Sequence, residues 1–459
     1  MISDPGIRIT ANPFHCLLLD REEYVMKQTE QDSSIRNIVW IISLVLIFAG
    51  LILVPMHLRD PFIRLLDKGL KGYSKVNVLA SLACVLLLAA KRDYTKGDIL
   101  LAVIWTLLLV PLLISDWSIS LRKTIPAIFN SWLPLYLVFQ RMPRATRKRL
   151  VHGFLIAFNI FIIILLVYGL YERMTGGKLM AAAINWFELH GGKPSELRFY
   201  QRFTTEGGRM CSFWGHALTN GVLFNVFFIL NDIYHRSTAT RYPKMVYFMI
   251  SLAGVLLVAS KVAIIVSCLY LIISNWKQKK WLIVYAATFC GMFFLGVFQK
   301  IIQRFTTGPI TTGRVGAMKA YFAGDLFPLK ILTGYGTGTT YGKQMYHLKA
   351  AFEPPLLMYS LDYGIIFAVL FLFSIYAYVS WYFLSRRQIA SWLGISLYFA
   401  QVNTYNAMSL WNQDCCWIMA TVMMLAVNAV MLSDEVQDQP VRNKEKGVKA
   451  ALIRLICGE

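Results

Sequence analysis

Acidic residues are scarce in this chain. Its 459 residues hold 25 Asp and Glu against 46 Lys and Arg, a formal net charge of +21, and charged residues of all kinds make up only 15%. So little charge does not cover the surface of a water-soluble globule. With 57% hydrophobic residues and a mean hydropathy of +0.52, the chain reads as a polytopic membrane protein. The short alternating segments of an outer-membrane barrel are missing, so the spans are helical. Of the eight cysteines, Cys84, Cys268, Cys290, Cys415 and Cys416 fall inside apolar runs, with neither metal-ligand spacing nor a disulfide framework. No internal repeat or low-complexity run appears. Residues 1–36 are polar and charged, and read as a cytoplasmic tail rather than a signal peptide. Charge is also missing from the spans: Asp362 and Asp414 are the only acids expected at membrane depth, and Lys261 falls in a turn. That argues against an ion-coupled transporter, which needs ionisable groups along its pathway.

What is present is a series of apolar runs. They predict an all-α protein of about twelve transmembrane helices, at 37–56, 76–90, 98–115, 124–140, 150–171, 211–231, 244–259, 262–276, 281–299, 356–384, 388–406 and 412–433. Residues 37–433 form one membrane domain, and 434–459 a second cytoplasmic tail. Basic residues crowd the alternate turns: Lys91, Arg92 and Lys96; Arg141 through Arg149; Arg236, Arg241 and Lys244; Lys277 through Lys280; Arg386 and Arg387. The opposite short turns hold only Arg122, Lys123 and Lys261, so the positive-inside bias puts both termini in the cytoplasm. Residues 57–75 resist this, with Arg59, Arg64, Lys68, Lys71 and Lys75 on the outer side; the pattern does not account for them, and an interfacial helix on acidic headgroups is one open reading. Because the basic residues lie between spans, anionic headgroups or a phosphorylated lipid are expected as partners, and nucleic acid is not.

Two long loops, 172–210 and 300–355, face outward in this scheme. Loops of that length on a multispanning protein usually carry function. The first interleaves Arg173, Lys178, Lys193, Arg198, Arg202 and Arg209 with Trp186, Phe187, Phe199, Tyr200 and Phe203, which suits a segment at the membrane surface. The second is basic and rich in Gly and Thr, so its backbone N–H groups can approach an anion closely. Arg202, Arg209, Arg304 and Arg314 are candidates to hold a diphosphate, since a guanidinium fork matches it bidentately; a lipid-headgroup anchor is the plainer role. Glu353, ahead of Pro354-Pro355, sits at a helix N-terminus as a cap or as a general base, and His347 is the rival base. His216 and Asn220, four residues apart on one helical face, either line the same site or are satisfied polar groups between helices.

On these residues the second half of the chain resembles the O-antigen polymerase and ligase family. Arg209-Met-Cys-Ser212-Phe213-Trp-Gly-His216 looks like the family's arginine entering a span, and Ser260-Lys261 like its turn between two spans. Gly313-Arg314 and Gly334-Tyr335-Gly336 match the outer loop, and Asp362-Tyr363-Gly364 the acidic motif after it. The resemblance covers roughly residues 200–384. It implies an inverting, metal-independent glycosyltransferase without cofactor. Such an enzyme joins oligosaccharide repeat units, carried on a polyprenyl diphosphate, into O-antigen, capsule or exopolysaccharide at the outer face of a bacterial plasma membrane. Ser260, Lys261, His216, Gly334, Gly336 and Asp362 then line the site, Arg209, Arg314, Arg304 and Arg202 bind diphosphate, and Glu353 or His347 is the base. A flippase and a chain-length regulator are the implied protein partners. One departure is plain: where the family's ligases carry a His, often His-Asn, this chain has Glu353-Pro354, which favours a polymerase. The alternatives are a ligase transferring finished glycan to a lipid or protein, and a flippase of lipid-linked oligosaccharide.

Overall fold

The computed structural model describes residues 34–66, 76–117, 121–190, 194–206, 208–276, 283, 314–324, 327–341, 351–405 and 414–435. The span expected at 281–299, apart from Ile283, lies outside these residues, as do both tails, Gly313, Arg304 and His347.

In chain order the helices are α1 (Ser34–Leu53), α2 (Met56–Leu66), α3 (Val78–Ala90), α4 (Lys96–Ser115), α5 (Leu121–Ala127) and α6 (Arg144–Thr175). There follow α7 (Lys178–Leu189), α8 (Ser195–Thr205), α9 (Ala217–Ser237), α10 (Lys244–Val258) and α11 (Lys261–Asn275). The last are α12 (Arg314–Ala323), α13 (Pro355–Tyr363), α14 (Ile365–Leu384), α15 (Ile389–Asn403) and α16 (Cys415–Val430), which continues to Glu435. Among the described residues no strand forms, and six helices are long and apolar enough to cross a membrane: α1, α4, α6, α9, α14 and α16. The helices α3, α10 and α11 are apolar but shorter.

Burial sorts these six. In α9 and α16, 89% of the apolar window is inside the protein, against 28–44% in the others. Much of the apolar surface of α1, α4, α6 and α14 therefore faces outward, as in lipid-facing helices, while α9 and α16 are buried nearly all round and form the centre. Asn225 illustrates the centre: buried in α9, it donates to the Ala263 carbonyl and to Gln401, tying α9 to α11 and α15.

Two expected spans are broken. Residues 124–140 are not one helix: α5 passes into a π turn at Ile128–Trp132 and a 3-10 turn at Leu133–Leu137. Pro126 and Pro134 each remove a donor from the ladder, and the buried Asn130 is used instead to receive the Asn77 N–H. The run 356–384 divides at Gly364, whose φ of +101° no residue with a side chain adopts readily. Buried charge is also more than the span bounds suggest, since α9 runs on past 231 and buries Asp232 near its end.

Polar contacts between helices gather at two ends of the bundle. At one end Arg59 meets Asp414, the Trp214 indole donates to the Ile52 carbonyl, Met210 N–H donates to Leu257 O, and Gly334 N–H donates to Ser115. At the other end Lys91 pairs with Asp98, Arg147 with Glu435, Arg386 with Asp434, and Lys244 with Asp232. Arg59 corrects one expectation: rather than reaching for headgroups from α2, it is buried and forms two hydrogen bonds, at 3.0 and 3.3 Å, with a carboxylate 355 residues away.

Candidate functional site

Arg209 lies in the turn that leads into α9, and the sequence explains how that turn is held. Ser212 and Gly215 exchange both backbone hydrogen bonds, and Asn220, one turn into α9, accepts from the Ser212 hydroxyl at 2.8 Å while donating to the Met210 and Gly215 carbonyls. Asn220 is therefore a strut for the turn. His216 is the N-cap of α9: its Nδ1 accepts the Leu218 N–H, which leaves the proton on Nε2. Burial, with the Arg209 cation and His57 nearby, holds its imidazole down at about 3, so it is uncharged at neutral pH. Through the bond from Met210 N–H to Leu257 O, this turn rests on the end of α10, next to Ser260-Lys261. Ser260 is the N-cap of α11, accepting the Ala263 N–H, and Lys261 is half-buried beside it.

The expected first loop is mostly helix. Met180, Ile184 and Phe187 recur at helical spacing and pack α7 inward, with Phe187 edge-on to Phe62 of α2. In α8, Leu197 and Tyr200 are buried while Arg202 is exposed. Here the structure adds a constellation that spacing alone does not reveal. His57, the second residue of α2, has its Nδ1 2.6 Å from a Glu196 carboxylate oxygen, and the Tyr200 hydroxyl stands 3.2 Å from its Nε2. Burial keeps the Tyr200 hydroxyl protonated far above its usual range, and the Glu196 carboxylate, which only accepts, takes its hydrogen bond from Nδ1 of His57. The rings of Phe199, Tyr200 and Phe203 all face His216. The result is one neighbourhood holding an oriented imidazole, an uncharged imidazole and Arg209. His57 and Glu196 are 139 residues apart, so only folding pairs them; the one local signal was Glu196 in the first turn of a helix, where an acid suits the dipole.

Arg314 and Glu353 also meet. Nε and Nη2 of Arg314 both donate to one Glu353 oxygen, and each side chain remains about a quarter exposed, at 23% and 26%. Arg314 opens α12, and Glu353 stands just before Pro354, the N-cap of α13. The two helices are joined by apolar packing of Tyr321 on Phe352.

The Gly-rich segment does approach carboxylates, but they belong to the protein. Tyr335 and Gly336 donate N–H bonds of 2.9 Å to the Leu361 and Asp362 carbonyls at the end of α13, and Gly338 N–H points at the Asp362 carboxylate. Thr337 gives both its N–H and its hydroxyl to Asp116, each at 2.6 Å. Gly334 is required by contact: a Cβ there would stand 2.1 Å from the Asp362 carbonyl. Gly334, Gly336 and Asp362 are thus brought together as an anchor for the segment. The backbone donors at Gly336, Thr337 and Gly338 are engaged there, so they do not form the open anion cradle that composition suggests. Asp116 is the anchor's missed member, because it reads as the polar end of a span.

The first turn of α16 touches both neighbourhoods. Asp414 holds Arg59, two residues from His57, while Cys416 Sγ lies 3.5 Å from the Tyr359 hydroxyl on α13. Among the described residues no three His, Cys, Asp or Glu side chains group closely enough to bind a metal ion. Arg304 and His347 fall outside the described residues. Chemically, this end of the bundle offers cations beside apolar and aromatic walls, a partly exposed cation–carboxylate pair, and two imidazoles, one held against Glu196 and one capping α9. Compared with protein-family models, with curated proteins and with solved structures, the chain finds no match.

Proposed function

We propose that this chain is a membrane glycosyltransferase that joins polyprenyl-diphosphate-linked oligosaccharide units into a surface polysaccharide. In this reading both termini are cytoplasmic, twelve spans are present, and the end that carries Arg209 and Arg314 faces outward. The grouping of interhelical contacts supports the topology, since Arg59–Asp414 and Ser115–Gly334 join residues that the basic-turn count puts outside, and Lys91–Asp98 and Arg147–Glu435 join residues it puts inside.

The observation that carries the reaction is the half-buried Arg314–Glu353 pair. A carboxylate and a diphosphate oxygen compete for the same guanidinium fork. When the donor's diphosphate takes Arg314, Glu353 is released beside the reacting centre and accepts the proton of the acceptor hydroxyl. The acceptor oxygen attacks the anomeric carbon, the bond from that carbon to the diphosphate breaks, and polyprenyl diphosphate departs with the electron pair. Arg314 and Arg209 stabilise the charge that develops on it. Release of base by binding of substrate gives the contact between Arg314 and Glu353 a part in the reaction.

The experiment uses the full chain in proteoliposomes with lipid-linked repeat units, and follows polymer length. Arg314→Lys keeps the charge and loses the fork, so chain assembly should fall sharply with the protein still in the membrane; Arg209→Lys should behave alike. Normal polymer from both Lys variants removes the diphosphate role. In cells, unpolymerised repeats on the inner leaflet rather than the outer one would instead point to a transporter.

A further inference from the structure

At the end of the bundle opposite Arg209 lies a cavity of about 1700 Å³, between the α9–α10 turn, the end of α11 and the α14–α15 turn. Its lining carries Arg236, Arg241, Lys244, Arg386 and Arg387 against the single carboxylate of Asp232. Part of that charge is rigidly mounted. Asp232 is buried and receives Arg236 at 2.7 Å, Lys244 at 3.1 Å, the Tyr270 hydroxyl at 2.7 Å and the Tyr242 hydroxyl. Arg236 and Lys244 also both donate to the Ser274 carbonyl at the end of α11, at 2.5 and 2.9 Å. Arg386 is held by Asp434. Arg241 and Arg387 are different: both are exposed, and their guanidinium groups make no ion pair among the described residues. Each sits in a connection that passes through a left-handed residue, Ala239 with φ +52° in one and Arg387 itself with φ +54° in the other.

The same cavity has an apolar side. Trp276 and Ile389 line it and are 71% and 58% exposed. A ligand that satisfies both halves is an amphiphile with an anionic head. Charges that serve only to set topology need to be on the correct side of the membrane. They need neither a cavity nor a buried carboxylate fastening two of them to its wall.

We infer that this cavity binds the phosphate head of an anionic phospholipid, with Arg241 and Arg387 as the exposed cations that pair with it and the acyl chains along Trp276 and Ile389. Basic pockets between helices at a membrane surface recognise lipid headgroups in this manner. The site requires only that the chain lies in a bilayer, and goes beyond the glycan reading without depending on it.

The test is native mass spectrometry of the full chain released from nanodiscs of mixed phosphatidylcholine and phosphatidylglycerol. The wild type should retain phosphatidylglycerol in preference to phosphatidylcholine. Each of Arg241→Gln and Arg387→Gln should lower that retention roughly fivefold, the worth of one cation near a membrane surface. The paired Arg241→Lys, Arg387→Lys variant keeps both charges and should hold the lipid, which separates lost charge from lost fold. Equal retention of the two lipids by the wild type, or undiminished preference in the double Gln variant, overturns the proposal. So does release of the lipid by millimolar inorganic phosphate, which would mark a site for soluble anions. None of these readouts uses glycan transfer, so failure of the polymerase reading leaves them untouched.

Discussion

Helices α7 and α8 reach their place through side chains; residues 330–341, at the same end of the bundle, reach theirs through the backbone. In the first region α7 and α8 bury Met180, Ile184, Phe187, Leu197 and Tyr200, and the His57–Glu196 contact completes the docking. In the second, Tyr335, Gly336, Thr337 and Gly338 present N–H groups to the end of α13 and to the carboxylates of Asp362 and Asp116. Apolar docking tolerates substitution and small shifts. Backbone docking onto buried carboxylates does not, because each lost partner leaves a buried polar group unpaired. The difference teaches where to look for motion and where for precision: the Gly-rich segment is a fixed support for α13, whose first turn follows Glu353.

The comparison can be broken by asking which region holds the base. Glu353→Gln should lower the polymerisation rate by about a hundredfold to ten-thousandfold with little loss of folding, the usual cost of one general base. His57→Ala and Glu196→Gln should leave measurable activity. If instead His57→Ala abolishes transfer and Glu353→Gln does not, the chemistry belongs to the α2–α8 region, with Glu196 orienting the imidazole.

Next in size is Arg59→Ala, which strands the buried Asp414 and should destabilise the protein by about 3–5 kcal/mol, read as a fall in melting temperature in detergent. Arg202→Ala, on the exposed side of α8, should stay within about 0.5 kcal/mol of the wild type. Comparable losses from both would refute the reading that the buried Arg59–Asp414 pair, unlike the exposed side of α8, carries stability.

Asp116→Ala removes two acceptors from Thr337 and should cost about 1–3 kcal/mol for each unpaired donor. Hydrogen exchange should rise at residues 336–340 and stay unchanged in α7 and α8. Faster exchange in both regions would show that they are one cooperative unit.

A further effect is a pH dependence at His216. Its imidazole stands at about 3 in the folded chain against an ordinary 6.5. Below pH 6.5 the unfolded chain takes up a proton that the folded one refuses, so this contribution is intact above that pH and is lost as pH falls toward 3. The melting temperature of His216→Gln should therefore decline less steeply than the wild type across this window. Parallel curves would mean that the ring is hydrated in solution.

Much of the architecture was legible because it is locally encoded. A run such as Ile365–Leu384 needs no partner to declare itself, and Pro354-Pro355 marks a helix start from its own chemistry. The broken spans were less legible, since a window of hydropathy does not register Pro126, Pro134 or Gly364 inside an apolar run. Of the candidate residues, Arg314 with Glu353 and Arg209 with His216 are brought together by folding, while Arg202 stands exposed. His57, Glu196 and Asp116 went unseen, because nothing in their surroundings sets them apart from a cap, a helix start or the end of a span.

The order of amino acids determined by itself that this chain is helical and carries helices long and apolar enough to cross a membrane: an unbroken apolar run pays no penalty in lipid, and closes its own backbone hydrogen bonds as a helix. Tertiary structure alone decided which charges meet. Arg59 with Asp414, His57 with Glu196 and Thr337 with Asp116 are separated by 355, 139 and 221 residues. Coulomb attraction and hydrogen bonding act over a few ångströms of space and carry no mark in sequence, so these pairs exist only once α9 and α16 have set the distances between the helices around them.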